Sequence, residues 1–363
     1  MRGVHLFVPM LHRHDAVGEH TRALRDRLIE SRVPSRIYTE LPDPTTVDET
    51  RHYLEYESEA EVGDVLVYQF ATDSVMAGWL ATRPERLVIN YHGITPAEFF
   101  APWNNAITRL QVGAQQRLTE LAPRAALGIA DSEFISNELR QAGCTNIAVV
   151  PVTGIAEPAE PSPEALDRLR SRRRGIGSRW LSVGRWAPNK AHHQTLAALF
   201  VARATWDRGA HLTLVGSPTE PAYAEALKRY AGQLGLADAV HFVSGISDDE
   251  LAAHYRTADV LVMLSDHEGF GVPLVEAMGH GLPIVAFNAG AVSEVLGHAG
   301  ILLEQKNPRR VAAAVSGLMV EHEERERVVQ AGRDRFRAIG LEEAGKHLVE
   351  AVLGVLAPVA TSS

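Results

Sequence analysis

The run Ser265-Asp266-His267-Glu268-Gly269-Phe270-Gly271-Val272-Pro273-Leu274-Val275-Glu276-Ala277-Met278 directly follows the apolar stretch 260–264. Pro273 suits the first turn of a helix, where its missing N–H costs nothing. Gly269 and Gly271 therefore fall in a strand-to-helix loop. Backbone N–H groups can approach a ligand closely there, and the helix N-terminus adds partial positive charge, so a phosphate is the natural guest. Glu268 in the loop and Glu276 about one turn into the helix each offer two acceptor oxygens to the paired hydroxyls of a ribose or hexose. The plain alternative is a βα turn with solvent-facing glutamates. The glycines and the proline favour the ligand.

A second constellation, Gly184-Arg185-Trp186-Ala187-Pro188-Asn189-Lys190, follows the apolar run 180–183 and opens the next helix. Arg185 can clamp a phosphate bidentately and Lys190 adds a compact charge, together enough to neutralise most of a diphosphate. This is no P-loop: Asn189 precedes the lysine and no Ser or Thr follows it to hold magnesium. In the first half, Gly18 before a helix gives a phosphate or sugar room to approach, and His92 at a strand end can donate to a substrate oxygen. A lone strand-end histidine is more often a structural hydrogen-bonder. His12, His14, His20 and the pair His192–His193 carry no metal-site spacing, so no metal is expected. There is no Gly-x-Ser-x-Gly elbow, and Gly269-x-Gly271 lacks the third glycine of the dinucleotide fingerprint.

The elements that must position these groups alternate. Short β-rich runs at 4–8, 64–68, 87–91, 127–130 and 147–150 are interleaved with helical patterns at 19–30, 106–121 and from Ser132. After a proline-rich stretch and the cluster Arg168, Arg170, Arg172, Arg173 and Arg174, the alternation restarts. Strand patterns fall at 180–183, 211–215, 240–243, 260–264, 283–286 and 300–303, with helices from about 191, 222, 248 and 273, then a helical tail that frays at Ser362–Ser363. The fold class expected is α/β, with two doubly wound domains facing across a cleft and ligands bound beyond the carboxyl ends of the strands. The boundaries expected are 1–165, 166–340 and a C-terminal helix within 341–363.

The chain has 363 residues, 45% hydrophobic and 22% charged, with 36 basic against 45 acidic side chains and a net charge of −9. That balance fits a globular two-domain protein and gives no global attraction to nucleic acid or an anionic membrane. Cys144, the one cysteine, excludes an intrachain disulfide and reads as a small buried side chain. His5 interrupts the opening apolar residues, which do not read as a signal peptide, and no run of about 18 apolar residues occurs.

Taken together, Gly184-Arg185…Lys190, Phe242-Val243-Ser244-Gly245 and Glu268-Gly269-Phe270-Gly271…Glu276-Ala277-Met278 resemble the retaining glycosyltransferases of family 4, with their Glu-x7-Glu motif and GT-B fold of two Rossmann-like domains. Looser matches lie at Gly18, His92-Gly93 and Ser132-Glu133-Phe134. The resemblance implies an N-terminal acceptor-binding domain, a C-terminal donor-binding domain, and a last helix, 341–356, crossing back to the first. Arg185 and Lys190 would bind the donor diphosphate, Gly18 and the Val272 N–H its phosphates, Glu276 the ribose, and Val243 to Ile246 the base. Glu268, Phe270, Gly271 and His92 would face the donor sugar, with Glu268, His92, Arg185 and Lys190 carrying catalysis. Two departures stand out: Pro151-Val152-Thr153-Gly154 where many relatives have Pro-Asn-Gly, and Val17-Gly18 where they have a double glycine.

The function implied is metal-independent transfer of a hexose from a UDP- or GDP-linked donor to a sugar, glycan or lipid-linked hydroxyl, by same-face attack and without a cofactor. The alternatives are an epimerase or phosphorylase on the same plan, and a catalytically silent nucleotide-sugar binder. The implied location is cytoplasmic, with peripheral contact at the inner face of the membrane left open. Phe99-Phe100-Ala101-Pro102-Trp103 would suit a lipid-linked acceptor, and core packing explains it equally.

Overall fold

The computed structural model describes residues 2–12, 15–155, 157–171 and 177–356. His14, Arg172, Arg173, Arg174, Ser362 and Ser363 lie outside them. The chain divides into two compact units, one made of Met1–Ala97, Ala106–Ile155 and Ile339–Ser363, the other of Glu98–Asn105 and Ala156–Ala338.

In the first unit, seven parallel strands run β1 (Val4–Val8), β2 (Ile37–Thr39), β3 (Thr50–His52), β4 (Val65–Phe70), β5 (Arg86–Tyr91), β6 (Leu127–Ala130) and β7 (Ile147–Val149). They are ordered β3-β2-β1-β4-β5-β6-β7. A parallel sheet covered on both faces needs nearly continuous apolar strands, and β4, Val-Leu-Val-Tyr-Gln-Phe, is buried throughout. One face, carrying Val65, Val67, Val88 and Ile129, packs on α1 (Ala16–Glu30) through Leu24 and Leu28. The other, carrying Leu66, Tyr68, Ile89 and Tyr91, packs on α2 (Val75–Leu80), α3 (Asn105–Leu121) and α4 (Glu133–Gln141).

The sequence pattern omits β2 and β3, whose three residues apiece are too short to show a period. It also starts α1 late: the Asp15 carboxylate accepts from the Gly18 N–H at 3.2 Å, and this cap begins the helix at Ala16.

The second unit holds α5 (Pro163–Ser171), β8 (Arg179–Val183), α6 (His192–Thr205), β9 (His211–Val215), α7 (Pro221–Gln233), β10 (Val240–Val243), α8 (Asp248–Thr257), β11 (Val260–Met263), α9 (Val272–Gly279), β12 (Ile284–Phe287), α10 (Val292–Leu296), β13 (Ile301–Leu303), α11 (Pro308–Val320) and α12 (His322–Ile339). Its six parallel strands are ordered β10-β9-β8-β11-β12-β13. Numbered within the unit, that is the 3-2-1-4-5-6 order of a doubly wound nucleotide-binding sheet. The order reverses between β8 and β11, which pair directly through Val260↔Trp180 and Leu261↔Leu181. Connections leaving these two strands pass to opposite faces of the sheet, so a crevice opens beyond their carboxyl ends. Arg168, from the arginine cluster, pairs with Glu250 at 2.5 Å.

The last helix, α13 (Leu341–Leu356), belongs to the first unit and lies on α1. Leu348, Val349, Val352 and Val355 enter the apolar layer that holds Leu24 and Leu28, and Arg27 donates to Glu342 at 2.8 Å. Among the described residues, no helix is long and apolar enough to cross a membrane. Leu348 is fully buried, and emptying such a site costs about 2–5 kcal/mol. Leu348→Ala should therefore lower the stability of the first unit by that amount, read as a shift of the urea unfolding midpoint; a change under about 0.5 kcal/mol, typical of surface substitutions, would show that α13 is not part of the core.

Candidate functional site: the loops after β8 and β11

The two motif loops leave the neighbouring strands β8 and β11, which is why residues far apart in sequence meet. After β8 the chain makes a close crossing. A side-chain carbon at Gly216, just past β9, would lie 1.9 Å from the Gly184 carbonyl oxygen, so only glycine fits at 216. The Gly184 N–H donates to Val215 O at 2.9 Å and the Trp186 N–H to Ser217 O at 2.8 Å. Trp186 is buried, edge-on to Phe242 at 5.3 Å. This anchoring leaves the Arg185 side chain exposed, and its guanidinium makes no ion pair among the described residues. Lys190 does not open α6, as the sequence suggests; it ends a 3-10 turn, Pro188–Lys190, and Ala191 at φ 48° separates it from the helix.

The turn aims Lys190 at Glu268. Its ammonium donates to both carboxylate oxygens, at 2.7 and 2.8 Å, across 78 residues of sequence. Glu268 is buried, and so does not face solvent as the plain reading had it. Burial works to raise its carboxyl, but the Lys190 charge and a hydrogen bond from Ser265 hold it below the usual carboxylate value. It stays ionised while largely shut off from water. Its carbonyl accepts from the Ala291 N–H at 3.0 Å, which fixes the loop from the far side.

Gly271 takes φ 98°, ψ 56° as it enters α9, a left-handed conformation that suits glycine. Among the described residues no side chain caps this helix. Pro273 has no N–H and Leu274 gives its own to Gly271 O at 2.9 Å, so the open donor of the first turn is the Val272 N–H. Phe270 is buried beside it. Glu276 is half-buried and accepts from the Tyr255 hydroxyl at 2.6 Å. Val243 and Ile246 flank the end of β10, with the Val243 carbonyl occupied by the Gly216 N–H at 2.9 Å. Arg185, Lys190, Val243, Ile246, Glu268, Phe270, Gly271, Val272 and Glu276 thus all belong to the second unit and sit on its β8, β10 and β11 loops or on α9.

The other two candidates belong to the first unit. Gly18 lies inside the first turn of α1. Its N–H goes to Asp15, and the place a side chain would take is 2.5 Å from the His12 carbonyl oxygen, so the chain itself occupies the space read as ligand room.

His92 lies one residue beyond β5 and Asp131 one beyond β6, and extension of the Tyr91↔Ala130 register sets them side by side. The His92 ring contacts Asp131 Oδ2 through Nδ1 and Gln69 Oε1 through Nε2, both at 2.8 Å. Both ring nitrogens are therefore committed to the protein, the structural role that a strand-end histidine more often plays. His20 stands edge-on to it at 5.3 Å and accepts from the Thr153 N–H at 3.0 Å; complete burial, then the neighbouring His92, lowers its pKa to about 4. Gln69, Asn90, Asp131 and Thr153 were not foreseen. Their one signal is polarity at the carboxyl ends of otherwise apolar strands: Gln69 in Val-Leu-Val-Tyr-Gln-Phe and Asn90 in Arg-Leu-Val-Ile-Asn-Tyr. The apolar stretch 99–103 is spent largely on packing, with Phe100 buried and Trp103 edge-on to Tyr223 at 5.1 Å.

Comparison with known proteins fits this geometry. Residues 177–335 match the family described as "Glycosyl transferases group 1". They form a group 1 glycosyl transferase domain. The chain is similar to a GDP-mannose-dependent alpha-(1-6)-phosphatidylinositol monomannoside mannosyltransferase of Mycobacterium tuberculosis, 34% identical over 202 residues, 53% of this chain and 48% of that protein. It is also similar to a D-inositol 3-phosphate glycosyltransferase of Thermomonospora curvata, 33% identical over 181 residues, 48% of this chain and 42% of that one. The chain thus spans about half the length of the curated relatives it matches or less.

Over nearly the whole chain the fold is that of GT-B glycosyltransferase structures. Sucrose-phosphate synthase from Thermosynechococcus elongatus superposes with a TM-score of 0.80 at 17% identity, covering 99% of this chain and 100% of that one. Anabaena Alr3699/HepE in complex with UDP-glucose gives 0.75 at 18%, covering 97% and 99%.

In this glycosyl transferase domain, the buried pair makes a pH-dependent prediction. Removing one partner of a buried ion pair costs about 3–5 kcal/mol because the other charge is left uncompensated. Glu268 is held below its unfolded value, so its stabilisation is present above the ordinary carboxylate range and is lost as pH falls through the folded pKa. Lys190→Met should cost about 3–5 kcal/mol near neutral pH and markedly less near pH ~4, where an unpaired Glu268 can take up a proton. Urea unfolding at the two values checks it; an equal cost at both would refute the charge argument.

Proposed function

We propose that the chain is a retaining hexosyltransferase: it moves a hexose from a nucleoside-diphosphate sugar to a hydroxyl acceptor, the second unit holding the donor and the first the acceptor, with no divalent ion. The observation that carries this reading is the cationic set at the β8/β11 switch point. Lys190 has three N–H donors and directs two at Glu268, which leaves one for a phosphate oxygen. The Arg185 fork is unspent, and the Val272 N–H opens the first turn of α9. A diphosphate placed there meets two cations and a helix N-terminus, the donors that a leaving diphosphate requires.

The reaction follows from where charge develops. The anomeric C–O bond breaks with its electron pair passing to the diphosphate, while the sugar gains oxocarbenium character. Arg185, Lys190 and the α9 terminus stabilise the departing anion. Glu268, ionised and buried, stabilises the positive sugar. The acceptor hydroxyl attacks from the face the phosphate leaves and passes its proton to the departing phosphate oxygen, which retains the anomeric configuration without a protein nucleophile. Glu276 receives the ribose hydroxyls, and the base rests near Val243 to Ile246. The relatives' names support GDP-mannose as donor and an inositol-bearing or lipid-linked acceptor, and UDP-hexoses are the second choice.

The test is turnover of UDP-, GDP- and ADP-hexoses with inositol phosphate and phosphatidylinositol acceptors in EDTA, the product anomer read by NMR. Retention is expected, and Arg185→Ala and Lys190→Ala should each lower kcat by about 10²–10³, the worth of one donor to a developing anion. Unchanged turnover in both variants refutes the leaving-group role. An altered sugar formed from donor alone favours an epimerase.

A further inference from the structure

We propose that Tyr255 is a positioning residue for nucleotide recognition: its hydroxyl occupies one oxygen of Glu276 and presents the other to the ribose. The proposal rests on the reading of Glu276 as the ribose-binding carboxylate.

Tyr255 lies on α8 and Glu276 on α9, and the phenol donates to Glu276 Oε2 at 2.6 Å. Among the described residues, Oε1 carries no hydrogen bond. The Tyr255 ring is almost completely buried, and His280, the residue that follows α9, stacks on it with centroids 5.2 Å apart and planes 7° apart. The phenol is thus held between two helices and cannot swing away without breaking both contacts.

A carboxylate normally offers its two oxygens to a pair of hydroxyls on equal terms. Here the terms are unequal. The short bond from Tyr255 consumes much of the acceptor strength of Oε2 and fixes the carboxylate plane. Oε1 is left as the stronger acceptor, in one orientation.

Burial raises the Glu276 carboxyl, the Tyr255 bond lowers it, and Asp248 at the start of α8 raises it again, the balance lying above the usual value. Burial and Glu276 together hold the phenol well above its usual value, so it remains a donor at neutral pH. Tyr255 therefore acts on the ligand only through Glu276, by fixing its rotamer and supporting its charge. A Tyr that served packing alone would not alter how the protein tells a ribose from a deoxyribose.

Discrimination between sugars is accordingly the readout. Calorimetric titration gives the affinities of UDP and GDP and of their 2′-deoxy and 3′-deoxy forms for the full chain, and the ratio of ribo to deoxy affinity is compared among variants. In the native protein the ratio is expected to reach about tenfold for at least one hydroxyl, the worth of a hydrogen bond to a charged group. Glu276→Ala should bring it close to one. Tyr255→Phe keeps the ring and removes only the hydroxyl, and should lower the ratio at least threefold.

If Tyr255→Phe retains the native ratio while Glu276→Ala abolishes it, the inference is overturned and the ribose reading stands. If Glu276→Ala itself retains the ratio, the ribose reading fails and the inference with it. Should Tyr255→Phe fail to fold, His280→Ala, which frees the Tyr255 ring on one side, is expected to lower the ratio in the same direction; an unchanged ratio overturns the inference.

Discussion

A carboxylate buried in a protein interior either takes up a proton or finds a cation, because isolated charge is too costly to keep there. Glu268 has found Lys190. Both of its oxygens are engaged at hydrogen-bond distance, and its pKa is held down against the effect of burial. Much of the second unit follows from keeping those groups together. Lys190 must end a tight turn in the loop that follows β8, Glu268 must sit in the loop after β11, and the two strands must be neighbours. The 3-2-1-4-5-6 order supplies that adjacency, and it also opens the crevice into which both loops project. Fold and charge pair are therefore one constraint seen at two scales.

The surrounding backbone serves the same end. The glycine contact between 184 and 216 lets the β8 loop cross the β9 loop at a distance no side chain would permit. The left-handed Gly271 turns the chain into α9 without a capping side chain, so the first turn presents its Val272 N–H rather than spending it. The first unit shows the contrast. At its strand ends, Gln69, His92 and Asp131 close on one another, with His20, Asn90 and Thr153 beside them, and that network satisfies most of its own polar atoms. The second unit keeps cationic and N–H donors in reserve, while this network leaves Gln69 Nε2, Asn90 Oδ1 and Asp131 Oδ1 buried without a hydrogen bond among the described residues.

Much of this was legible in the sequence because it is written locally. Apolar runs of four or more residues, such as those in β4 and β11, give their strands unaided. The glycines and proline after β11 mark a strand-to-helix loop, and Glu268 and Glu276 stand out by their spacing within it. What was not legible is non-local or too short. β2 and β3 have no measurable period. The Lys190–Glu268 pair spans 78 residues, and the partner of Glu276 lies 21 residues away on another helix. Gly18 shows the limit of reading a residue type alone: its small size answers the approach of the chain's own His12 carbonyl.

In the proposed reaction a nucleoside-diphosphate sugar brings its pyrophosphate to Lys190, Arg185 and the start of α9. A crystal structure of the protein with such a donor bound, prepared in EDTA, tests it most directly. Pyrophosphate oxygens are expected within about 3 Å of Lys190 Nζ, the Arg185 guanidinium and the Val272 N–H, with Glu268 against the hexose. A nucleotide bound elsewhere, or one whose phosphates touch none of these groups, would contradict it.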